Sequence, residues 1–133
     1  MIEEGIEKIY LTNRTMSRAI DLQKMMPDQI EIIDWDDKIK MLPDIDLLIN
    51  ATSLGMAGKG ELQLDLGSLK DGALVTDIVY TPLMTPLLLR AQAGGHDVVT
   101  GIGMLLHQAR PSFQAWTNIM PDVTQELEEL VLE

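Results

Sequence analysis

Several groups of polar residues in this chain have the types and spacing to hold a charged or hydroxylated ligand. Asn13, Arg14 and Thr15 are consecutive, and Arg18 follows Arg14 by four residues. On a helix that spacing brings two guanidinium groups close enough to converge on one anion. At a helix N-terminus, unpaired backbone N–H groups would join them. The other reading is a solvent-facing strand end with two incidental arginines. Asn50, Thr52 and Ser53 supply an amide and hydroxyls that could meet a sugar, a phosphate or an amide, or merely satisfy the backbone of a turn. Asp77 is either a ligand contact or a carboxylate tied to loop amides. Tyr80 could donate to a substrate or be an ordinary structural tyrosine. Gly101 and Gly103 would let a bound ring approach the backbone. Met104 could line that ring's pocket or fill a core, and Gln108 could reach a ligand from the same helix.

The elements that must position these residues follow from hydrophobic patterning. Ile6 to Leu11 reads as a strand, and Thr15 as the cap of a helix from Met16 that Pro27 stops, with Ala19, Leu22, Met25 and Met26 at helical spacing. Ile30 to Ile33 is a second strand, followed by an acidic turn. Asp46 to Asn50, apolar in a continuous run through Leu47, Leu48 and Ile49, suits a parallel strand covered on both faces, and Ala73 to Val79 reads as the next buried strand. The glycine-bearing segment between them reads mostly as loop. Thr85-Pro86 opens a helix that Gly94-Gly95 ends, and His96 to Thr100 is a last short strand. A helix from Ile102 should break or kink at Pro111, resume through Phe113 and Trp116, and end near Asn118. Pro121 should open a final helix with Leu127, Leu130 and Val131 as its apolar stripe. Alternating short strands and helices indicate an α/β domain with a mainly parallel sheet.

Parallel α/β domains bind ligands at the carboxyl ends of their strands, where these polar groups fall. In a dinucleotide fold an acidic residue at the end of the second strand holds the ribose hydroxyls of NAD, whereas a basic one accommodates the extra phosphate of NADP. This chain has Arg and Thr there. Composition excludes other classes. The 133 residues contain 10 Lys plus Arg against 21 Asp plus Glu, a formal charge of -11 that disfavours nucleic acid as a partner. There is no cysteine, hence no thiolate nucleophile or zinc–thiolate site. With two histidines and no compact carboxylate group, no metal site is expected. The N-terminal MIEEGIEKIY is not a signal peptide, and no apolar run approaches the roughly 18 residues that span a bilayer. A cytoplasmic protein without a membrane partner is expected.

The strings NRTMSRA (Asn13 to Ala19), INATSLGM (Ile49 to Met56), DIVYTPLMTPLL (Asp77 to Leu88) and GIGMLLHQARPSFQAW (Gly101 to Trp116) occur in this order over nearly the whole chain. Together they resemble shikimate dehydrogenase. The resemblance implies reduction of 3-dehydroshikimate to shikimate by hydride transfer from NADPH. It assigns Asn13, Arg14, Thr15 and Arg18 to the adenosine ribose and 2′-phosphate of NADP. Asn50, Thr52 and Ser53 would form the next cofactor-contacting strand end, Gly101 and Met104 the surroundings of the nicotinamide, and Tyr80 and Gln108 would reach shikimate.

The family's N-terminal substrate domain, with its catalytic Lys and Asp, has no counterpart in these residues, so no catalytic residue is assigned. The first strand of the dinucleotide domain and its glycine-rich turn are also without counterpart. The expectation is an incomplete Rossmann-like three-layer α/β domain over residues 1–133, its first strand missing, inactive unless a substrate domain complements it. In the usual strand order 3-2-1-4-5-6 the missing strand is central. Strand 2 would then pair directly with strand 4, or a homo-oligomer would cover the gap. The alternatives are a non-catalytic nucleotide- or protein-binding remnant and one half of a split dehydrogenase, with quinate as a further substrate option.

Overall fold

The computed structural model describes residues 5–132. They divide into two compact units, one of residues up to Ile45 together with Ser68–Lys70, the other of Asp46–Gly67 and the residues from Asp71 onward.

In the first unit β1 (Ile9–Leu11) leads into α1 (Met16–Met25), β2 (Ile30–Ile32) and a 3-10 helix (Trp35–Asp44). β1 and β2 pair in parallel, Ile9 opposite Ile30 and Leu11 opposite Ile32. Parallel strands need a long crossover connection, and here α1 provides it. Beside this ladder Lys8 pairs with Glu31 at 2.5 Å. The hydrogen bond to Glu31 raises the Lys8 pKa above its ordinary value. The core consists of Ala19, Ile30, Leu42 and Leu69. The helical stripe expected for α1 is only partly buried, since Leu22 is exposed and Met25 is 73% exposed. The acidic turn after β2 extends much further than one helical turn. Asp34 accepts from the Asp36 amide at its start, and the 3-10 helix carries Pro43 near its end.

In the second unit β3 (Leu47–Asn50), β4 (Leu74–Asp77) and β5 (Val98–Val99) form a three-stranded parallel sheet in that order. α2 (Pro86–Ala93) connects β4 to β5 and buries Leu87, Leu88 and Ala91. Each buried leucine stabilises the fold by about 1.5–3 kcal/mol relative to an exposed one. Thr85 caps α2, its hydroxyl accepting from the Leu88 amide. Pro86 adds a preset φ at the first turn. Val75, Val79 and Ile102 complete the core with Leu62 and Leu64, which anchor the long segment between β3 and β4. There Arg90 donates to the Leu62 carbonyl at 2.8 Å.

α3 (Ile102–Thr117) runs through Pro111 as one helix, so of the expected break or kink the break does not occur, and it ends at Asn118, whose φ of 59° is left-handed. Only Ile102 of α3 is fully buried, and Trp116 is 84% exposed. α4 (Gln125–Leu132) begins later than Pro121 predicts, because the Thr124 hydroxyl accepts from the Leu127 amide and caps it. Its Leu130 and Val131 are exposed rather than packed.

All three ladders are parallel, and helices connect β1 to β2 and β4 to β5, the pattern of an incomplete Rossmann-like α/β fold. One expectation fails. Among the described residues β1 pairs with β2 and β3 with β4, in separate sheets, so the second and fourth strands of the usual order are not hydrogen-bonded to each other. No helix of the described residues is long and apolar enough to cross a membrane.

Candidate functional site

The β1–α1 junction holds the first group of predicted residues. Asn13 accepts the Thr15 amide on Oδ1 at 2.9 Å, a local turn that directs the chain into α1. Thr15 occupies the cap position, but its hydroxyl makes no capping bond. The first turn of α1 contains no acidic residue either, so its N-terminal amides keep no side-chain partner. Arg14 and Arg18 are exposed, and among the described residues neither is ion-paired or hydrogen-bonded through its side chain. A cation at a helix N-terminus opposes the helix dipole by about 0.3–1 kcal/mol. Unpaired arginines at an uncapped N-terminus are thus a poor choice for stability and a good one for an anion. Beside them Thr12 Oγ1 is buried without a hydrogen-bond partner.

The second group lies at the carboxyl ends of β3 and β4. Their register places Asn50 directly opposite Asp77. Both are buried, and so is Thr85. Asn50 Nδ2 lies 3.0 Å from each carboxylate oxygen of Asp77 and 2.9 Å from the Leu54 carbonyl. Asn50 Oδ1 accepts from the Thr52 amide at 3.1 Å and from the Thr52 hydroxyl at 2.8 Å. Both donors and both lone pairs of the amide are therefore engaged inside the protein. Thr52 Oγ1 in turn accepts from the Leu54 amide. Asp77 Oδ1 accepts from the Val79 amide at 3.0 Å, and Oδ2 from the Thr85 hydroxyl at 2.8 Å. Ser53 stands exposed at the tip of this turn, and Tyr80 is exposed on the loop after β4.

Gly101 begins α3 against that same loop. A Cβ there would lie 2.5 Å from the Ile78 carbonyl oxygen and 2.7 Å from that of Val79. The glycine at this position answers a backbone collision within the protein. Open space lies instead at Gly103, where a Cβ would meet nothing within 4 Å. Met104 and Gln108 are exposed farther along α3.

The structure thus brings Asn50, Thr52 and Asp77 into one hydrogen-bonded group and sets Gly101 against the residues that follow Asp77. No hydrogen bond links Tyr80 to Gln108 among the described residues. Sequence reasoning anticipated Thr85 only as a helix cap. Its bond to Asp77 spans eight positions through a loop, and no local pattern announces it.

A family model described as the Shikimate 5'-dehydrogenase C-terminal domain matches residues 101–131. The shikimate dehydrogenase (NADP(+)) of Dinoroseobacter shibae is 43% identical over 132 residues, which are 99% of this chain and 48% of that protein. Quinate dehydrogenase from Corynebacterium glutamicum, solved in complex with NAD, superposes with a TM-score of 0.88 at 28% identity, over 98% of this chain and 48% of its own. Shikimate 5-dehydrogenase from Thermus thermophilus, solved with NADP(H) and shikimate, gives a TM-score of 0.78 at 30% identity, over 96% of this chain and 46% of its own. The chain spans about half the length of the curated relatives it matches. Over nearly all of its residues, the chain matches the C-terminal portion of proteins of the shikimate dehydrogenase family.

Proposed function

We propose that residues 1–133 are a partial dinucleotide-binding domain, with its C-terminal helices, that holds NADP in a dehydrogenase acting on shikimate or a related cyclic hydroxy acid. The observation that carries this reading is the β1–α1 junction: an uncapped helix N-terminus flanked by two arginines that are unpaired among the described residues, in a chain of formal charge -11. That donor set fits a phosphate monoester. Arg14 and Arg18 would grip the 2′-phosphate through charge-assisted hydrogen bonds, while Asn13 and Thr15 face the adjoining ribose. At the other strand ends Thr52 and Ser53 would border the cofactor, Asn50 shaping the turn that carries them. The opening at Gly103, between Gly101 and Met104, would receive the nicotinamide, and Tyr80 and Gln108 the substrate. When bound, the cofactor supplies or accepts the hydride of the dehydrogenase reaction. These residues bind and orient; none is assigned the proton transfer.

The curated relatives are about twice as long as this stretch. A separate substrate domain is therefore proposed to complete the site, and the isolated 133 residues are expected to bind cofactor without turnover. Calorimetric titration with NADPH and NADH tests the reading. Affinity for NADPH at least tenfold above that for NADH is expected, and equal affinities would refute the role of the arginines.

A further inference from the structure

The Asn50–Asp77–Thr85 group links segments that are far apart in sequence. Asp77 ends β4 and is fully buried, and its carboxylate faces no cation among its hydrogen-bond partners. Those partners come from different places: Asn50 at the end of β3, the Val79 amide in the loop after β4, and Thr85 at the start of α2. Asn50 passes the connection on to Thr52 and Leu54. Gly55, at a φ of +98°, folds the same turn over the group, so that a Cβ there would lie 3.5 Å from Thr85 Cβ and 3.8 Å from Asp77 Oδ2. The Ala57 amide then donates to the Thr81 carbonyl, next to Tyr80. The turn bearing Thr52 and Ser53 and the loop bearing Tyr80 are therefore both fastened to one buried carboxylate.

We propose that Asp77 is a positioning residue that locks these two strand-end loops into one unit and thereby sets the affinity for the cofactor. The inference rests on the proposed NADP site. Asp77 touches no ligand; it acts through Asn50 and Thr85. A carboxylate suits the position because both its oxygens only accept, and every neighbour donates. In Asp77→Asn one oxygen becomes an NH2 group, and the bonds to that atom are lost.

The experiment compares the unaltered chain with Asp77→Asn, Thr85→Val and Thr85→Ser at a temperature where circular dichroism shows each folded. NADPH titration gives affinity, and amide hydrogen exchange without ligand gives loop order. Asp77→Asn and Thr85→Val should each weaken NADPH binding about tenfold or more and speed exchange at Thr52 and Leu54 more than at Val75 in mid-strand. Thr85→Ser keeps the hydroxyl and should restore both readouts, whichever of the other variants folds. NADPH affinity within twofold of the unaltered chain in folded Asp77→Asn or Thr85→Val would overturn the inference. Exchange rising equally at Val75 and Thr52 would also overturn it, by showing general destabilisation. Failure of the unaltered chain to bind NADPH would instead remove the cofactor reading and the affinity claim with it. Exchange would then still decide whether Asp77 locks the loops.

Discussion

The β1–α1 junction and the β3–β4 strand ends hold polar residues in opposite states. At the junction Arg14 and Arg18 are exposed and, among the described residues, unpaired, and the helix N-terminus beside them is uncapped. At the strand ends Asn50, Asp77 and Thr85 are buried and bonded to one another. The first arrangement gains little for the fold and has bonding capacity left for a ligand. The second has its capacity used internally, where an unsatisfied group would be destabilising by about 1–3 kcal/mol. A polar residue at the carboxyl end of a parallel strand can therefore either meet a ligand or hold the loop that does. The number of its bonding positions already filled tells the two apart.

Substitutions should separate the two regions by what they change. The largest effect is expected for Gly101→Ala, whose new methyl would sit 2.5 Å from a backbone oxygen. Thermal or urea unfolding should show a loss of about 3 kcal/mol, typical of severe overpacking. Unchanged stability would mean that the β4 exit yields easily. Next, replacing both Arg14 and Arg18 by alanine should weaken NADPH about a hundredfold, or about 2.7 kcal/mol. The same variant should unfold no earlier than the parent, and slightly later if the dipole argument holds. A marked fall in melting temperature would erase the contrast between the regions. Thr85→Val removes both a helix cap and a bond to Asp77, and should destabilise by about 2 kcal/mol, with Thr85→Ser close to neutral. Smallest of all, Glu61→Gln breaks an exposed pair with Arg90 at 3.4 Å and should change stability by less than about 0.5 kcal/mol.

Much of this was legible in the chain. The apolar stretches before Asn50 and around Asp77 marked the two strands, but these are not covered evenly on both faces: β4 alternates between partly and fully buried residues, and Ile49 of β3 is exposed. Thr85-Pro86 and Gly94-Gly95 bracketed α2 through local backbone chemistry. The helix signals failed where competing groups were equally local. Pro121 was read as a helix start, yet the Thr124 hydroxyl captures the Leu127 amide and caps α4 farther on. Pro111 was read as a kink or a break, and α3 continues through it without the break. The arginine pair was visible because four-residue spacing before a helix is a sequence pattern. The fastening of Asn50, Asp77 and Thr85 was not, since it depends on strand register and on a loop's return path. A packing reason for Gly101 was equally out of sight: its neighbour is the backbone of Ile78 and Val79, over twenty positions earlier.

The two tryptophans fall one in each compact unit. Trp35 is partly shielded, with the Lys38 ammonium 4.5 Å from its ring centroid. Trp116 stands 84% exposed near the end of α3. Their fluorescence therefore carries two separable signals. Trp116 should emit at the red end, like indole in water, and be quenched readily by iodide, while Trp35 responds to events in the first unit. Any molecule that settles on the end of α3 would shift the red component toward the blue and leave the other in place, so the chain carries an optical reporter for that surface.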